Sequence, residues 1–122
     1  MSKVILTFQL QKEKEEQLLS ICKELHIALL KISMNDYAQK LGYLAGIQGF
    51  KREKAVYCGG AFPKEMLIFS GLNSNEVDTF LAEYKKTGLS PIDLKAIVTQ
   101  HNVFWTPETL FRELMKEHFA FH

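Results

Sequence analysis

A chain of 122 residues, 47% hydrophobic and 24% charged with nine Phe, is long enough to bury a core without disulfides or metal and too apolar for disorder. Fifteen basic residues against fourteen acidic ones leave a formal charge of +1, so no whole-molecule field draws the chain to nucleic acid or an anionic membrane. Cys22 and Cys58 stand alone and far apart, fitting neither a zinc spacing nor a disulfide framework, and the N-terminal apolar run is too short for a signal peptide, so a cytoplasmic protein with no membrane span is expected.

Val4–Phe8 is a β-branched and aromatic run bounded by polar residues, which predicts a buried strand. Over Lys12–Leu25 the residues Leu18, Leu19, Ile21, Cys22 and Leu25 recur at helical spacing, opposite a wet face that includes Lys12, Glu13, Lys14 and Glu15. Residues 27–32 predict a second strand. Ser33 then stands where an N-cap belongs, Asp36 favours the first-turn amides, and Tyr37, Leu41 and Leu44 continue a helical stripe, so a helix is expected over 35–44. Residues 42–64 hold five of the seven glycines, the basic run from Lys51 to Lys54 and Pro63, and read as a connector with room for a short strand at 55–58.

The second half opens with a strand at 66–69. Asn73 caps a helix whose third residue, Glu76, reaches back as in a capping box, with Val77, Phe80, Leu81 and Tyr84 as its buried stripe and Gly88 as its stop. Residues 94–99 are the fourth strand. Thr106 as N-cap, Pro107 at the first helical position and Glu108 in the first turn begin the last helix, which buries Leu110, Phe111, Leu114 and Met115.

Strand, helix, strand, helix therefore occurs twice, and Ile27-Ala-Leu-Leu-Lys-Ile-Ser33 is echoed by Ile92-Asp-Leu-Lys-Ala-Ile-Val-Thr99. The pattern predicts one α/β domain over 1–122 with an internal pseudo-repeat, about 1–44 and 65–119, joined by a Gly-rich connector. Strands of continuous apolar character argue for parallel pairing inside each half, and joining the halves edge to edge gives a four-stranded sheet covered by helices. A ferredoxin-like α+β sandwich is the alternative, favoured if 35–44 is a loop and 55–58 a strand.

The densest polar detail lies at 99–106, between the end of the fourth strand and the last helix, where open α/β sheets bind ligands and free helix amides attract anions. There His101 is an acid, base or metal-ligand candidate, Asn102 an amide reader and Trp105 an apolar wall or interface anchor, with Thr99 and Thr106 closing the corner. The same residues also suit a plain turn, in which Asn102 supports the backbone, Trp105 staples the helix start and His101 is solvated. Ser33 and Asn35 mark the equivalent corner of the first half.

Residues 50–57 mix Lys51, Arg52 and Lys54 with Phe50 and Tyr57, as a small phosphate or single-strand contact does and as a solvated loop also does. With the net charge near zero, nucleic acid is not the expected partner. Gly59 and Gly60 make no phosphate loop, and Cys22 lies on a buried stripe. His118 and His122 fall four apart beside Glu117, and no native metal site is expected of them.

No catalytic residue, metal or cofactor is expected. The leading reading is a non-catalytic binding or regulatory module acting through protein interaction or self-association. A small enzyme or a sensor of a small anionic metabolite, using the 99–106 corner, is the alternative.

The C-terminal half, from Met66-Leu-Ile-Phe-Ser-Gly through Leu94-Lys-Ala-Ile-Val-Thr-Gln-His-Asn to Trp105-Thr and Leu114-Met-Lys-Glu-His118, resembles the uncharacterised bacterial family called domain of unknown function 3783. Where members of that family tend to show Thr-Pro-Thr-Asn after the strand, this chain has Thr99-Gln-His-Asn102, so the resemblance does not extend to His101. It implies a small intracellular bacterial protein and supplies no reaction, substrate or cofactor.

Overall fold

The computed structural model describes residues 2–120. In chain order the elements are β1 (Val4–Phe8), α1 (Lys12–Leu25), β2 (Ala28–Lys31), a 3-10 turn (Met34–Asp36), α2 (Leu41–Leu44), β3 (Met66–Ser70), α3 (Ser74–Lys85), β4 (Leu94–Ile97) and α4 (Pro107–Ala120). They build a four-stranded mixed sheet in the order β2-β1-β3-β4. β1 runs parallel to β2 and β3 parallel to β4, while β1 and β3 meet antiparallel with Leu6 opposite Ile68 at the centre.

The fold is α/β, two βαβ units joined along β1 and β3. The ferredoxin-like alternative does not hold, because that arrangement splits each βαβ unit with a strand of the other half. Here β2 lies directly on β1, and residues 55–58 form no strand.

Every residue of β1 and β3 is buried, which is why those two runs are apolar apart from Thr7 and Ser70 instead of alternating. Ile5, Leu67 and Phe69 face α1 and α3, meeting Leu18, Ile21, Cys22, Val77 and Phe80. Val4, Leu6, Phe8, Met66 and Ile68 face the opposite layer, meeting Tyr37, Leu41, Phe62 and Leu110. Each of these large side chains contributes about 1.5–3 kcal/mol by leaving water. The connector is tied into the second layer by its own ring, since Phe62 stacks between Tyr37 at 4.4 Å and Phe111 at 4.3 Å.

Burial pushes the Cys22 thiol up to about 11. The capping box of α3 is complete: the Glu76 amide donates to Asn73 Oδ1 at 2.8 Å and the Asn73 amide to Glu76 Oε1 at 2.9 Å. Before it the chain turns at Gly71, φ +79°, where any Cβ would strike the Ser2 carbonyl.

Three expectations are corrected. The helix over 35–44 is a 3-10 turn and a separate single turn, α2, with Lys40 extended between them. Tertiary bonds explain the break: the Gln39 side chain pairs with the Glu53 backbone, and the amides of Leu41 and Gly42 donate to the Trp105 and Val103 carbonyls at 2.8 and 3.0 Å. β4 stops at Ile97 instead of 99, because the Asn102 side chain takes the Ile97 carbonyl and the Thr99 amide.

Lys14, read as solvated, is buried. Its Nζ lies 2.5 Å from Glu65 Oε1, and Glu65 Oε2 also accepts from the Gln11 amide at the start of α1. Among the described residues no helix is long and apolar enough to cross a membrane.

Candidate functional site

The corner at 99–106 is a closed turn. Thr99 Oγ1 accepts from the amides of His101 and Asn102 at 3.2 and 3.1 Å. Asn102 is buried, with its Oδ1 accepting from the Thr99 amide at 2.8 Å and its Nδ2 donating to the Ile97 carbonyl at 3.0 Å. Thr106 Oγ1 caps α4 by accepting from the Thr109 amide, and Trp105 packs against the core layer under α4. The exposed His101 ring stands edge-on to Trp105 at 5.3 Å. Asn102, Thr99 and Thr106 thus spend their polar atoms on the backbone of their own turn.

In the first half Ser33 Oγ accepts from the Asn35 amide at 3.3 Å, capping the 3-10 turn, and both residues are exposed. The antiparallel seam between β1 and β3 sends the C-terminal ends of β2 and β4 to opposite ends of the sheet. Ser33 and Asn35 are therefore not brought together with the 99–106 corner. His118 lies on α4, and His122 lies outside the described residues.

What the corner does meet is the connector. A cleft of about 410 Å3 opens between them, with Lys40, Phe50, Lys51, Arg52, Glu53 and Phe104 in its walls. Phe50 and Phe104 touch at a centroid distance of 5.3 Å with their planes 47° apart. Phe104 is nonetheless 61% exposed.

Two features build this pair. The Phe50 ring lies on Gly42 of α2, where an added Cβ would stand 2.7 Å from the ring. The chain behind it is pinned by Gln39, 1% exposed, whose Nε2 donates to the Glu53 carbonyl at 2.7 Å and whose Oε1 accepts from the Glu53 amide at 2.8 Å. A buried amide paired twice to one residue fixes the strap more firmly than one bond would.

The charges around the rings are ordered. Lys40 pairs with Glu53 at 3.1 Å and Arg52 with Asp36 at 2.9 Å, while the guanidinium carbon stands 6.0 Å from the Tyr43 ring centroid. Tyr43 first, then Asp36, raise the Arg52 pKa above its ordinary value. Lys51 is exposed and pairs with no carboxylate among the described residues.

The part of the chain that supplies Phe104 is similar to a known family. Residues 65–121 match the family model described as Domain of unknown function (DUF3783). The DUF3783 segment spans β3, α3, β4 and α4 and so contributes Phe104, while Lys40, Phe50, Lys51, Arg52 and Glu53 all lie outside it. No curated protein and no solved structure matches the chain.

Elsewhere, an apolar hollow of about 280 Å3 lies between α3 and β4, walled by Phe80, Tyr84, Leu89 and Ile92. Among the described residues no group of three His, Cys, Asp or Glu stands close enough to hold a metal ion. In the sequence Phe104 reads only as part of the corner, and nothing local to Gln39 and Lys40 marks them as parts of the site. The available signal was an unexplained Phe beside Trp105 in a polar turn.

Proposed function

We propose that the protein is a non-catalytic cytoplasmic binding module whose ligand contact is the cleft between the connector and the 99–106 corner. The observation that carries this reading is Phe104, an aromatic ring left 61% exposed and braced by Phe50 in a ring of fixed charges. Lys40 and Arg52 are paired with Glu53 and Asp36, which leaves Lys51 as the cleft cation with no carboxylate partner among the described residues. Two free cysteines, one of them exposed, suit a reducing compartment.

The test is a thermal-shift panel of planar anions, comprising aromatic carboxylates, sulfonates and phosphates, on the wild type and Phe104→Ala. At least one member at saturating concentration raises the wild-type Tm by roughly 5–10 °C and leaves the variant unmoved. If none shifts the wild type, or all shift both proteins equally, the cleft is not a binding site.

Self-association is a second reading, favoured by the open edge of the sheet at β2. That strand has no outer neighbour among the described residues, and Leu30 within it and Met34 just after it are 42% and 41% exposed. Sedimentation of the wild type against Leu30→Lys tests it: a concentration-dependent dimer present in the first and absent in the second is expected, and a strictly monomeric wild type ends the idea.

A further inference from the structure

We infer that the ligand of this cleft is a nucleotide, with its base on Phe104 and its phosphate held by Lys51 beside Lys40 and Arg52. The inference rests on the binding reading above and gives that site a ligand class.

The rings set the first half of the argument. Phe50 and Phe104 are already in contact at 5.3 Å, so no base slides between them. Phe50 instead closes one side of Phe104 and leaves the rest of that ring open to solvent. One open, braced aromatic face takes one stacked base, and a phenyl ring accepts any of the bases because each has a π-face.

The cations set the second half. Lys40 and Arg52 are each held in place by a carboxylate, Glu53 and Asp36, which fixes their position and reduces their pull. Lys51 has no such partner among the described residues, so it is the group free to take a phosphate. Lys51 and Phe104 line the same cleft, which brings a stacking ring and an unpaired cation to one site, as a ligand with both a base and a phosphate requires.

Size and net charge choose between nucleotide and polymer. The cleft, about 410 Å3, lies in the range of small-molecule sites, roughly 300–1,000 Å3. Beyond it the chain is nearly neutral overall, which gives a long polyanion no electrostatic track to follow. A single nucleotide fits both facts better than a strand.

Isothermal titration calorimetry on the full chain tests the inference, with adenosine diphosphate as the probe, adenosine and inorganic pyrophosphate as its two halves, and decathymidylate as the polymer. The wild type is expected to bind adenosine diphosphate and to bind each half at least about ten-fold more weakly. Phe104→Ala should weaken the diphosphate about ten-fold and leave pyrophosphate unchanged. Lys51→Ala should weaken both phosphates and leave adenosine unchanged.

Tighter, strongly salt-dependent binding of decathymidylate, lost in Phe104→Ala, upholds the same base-and-phosphate chemistry and assigns it to a single strand. No binding of adenosine diphosphate or decathymidylate at millimolar concentration, or equal binding by wild type and both variants, overturns the inference. In that case a carboxylate or sulfonate that still shifts the wild type through Phe104 leaves the cleft a binding site and removes only the ligand class.

Discussion

Glu76 does two jobs at once. It completes the capping box of α3, and its carboxylate pairs with Lys3 just ahead of β1, tying the helix of one half to the strand of the other. The Asn73 amide first, then Lys3, hold its pKa below the ordinary value of 4.5. A carboxylate whose folded pKa is depressed gives stability that is fully present above the unfolded value and fades as pH falls through the folded one. Glu76→Gln keeps an acceptor for the cap and removes the charge. Its urea midpoint should lie below that of the wild type at pH 7, and the two curves should converge below about pH 4.5. A gap that stays constant down to pH 3 would show that the charge contributes nothing.

Among the elements, legibility followed local chemistry. The limits of α1 and the cap of α3 could be read off because apolar spacing and a capping residue decide them within a few positions. Residues 35–44 misled because their helical stripe is real, while the groups that broke the helix, Glu53, Val103 and Trp105, lie far along the chain. Lys14 misled in the same way, since only the fold brings Glu65 to it. The turn after β4 was legible as a place, but whether its side chains face outward or inward was not. Asn102 faces inward. Asn102→Ala strips a buried amide from the Ile97 carbonyl and the Thr99 amide, and is expected to lower unfolding stability by about 1–3 kcal/mol in urea titrations. A change within about 0.5 kcal/mol, the range of ordinary surface substitutions, would show the turn to be self-supporting without it.

At the scale of the whole molecule, the cleft is a composite that neither half contains. Phe104 comes from the DUF3783 segment, and Phe50 with the cations comes from before it. Composition made the connector visible as rings among lysines, but the partner ring could not be foreseen, because nothing local to Phe50 points to Phe104. The same long-range dependence governs the seam of the sheet. β1, buried on every residue, has its second edge closed by β3, and β3 is encoded in the other half. On the ribosome, the first half emerges with an apolar strand that has no partner on that side for the several seconds needed to translate the connector and β3, at about 5–20 residues per second. The nascent chain must therefore keep β1 away from foreign strands until its own arrives.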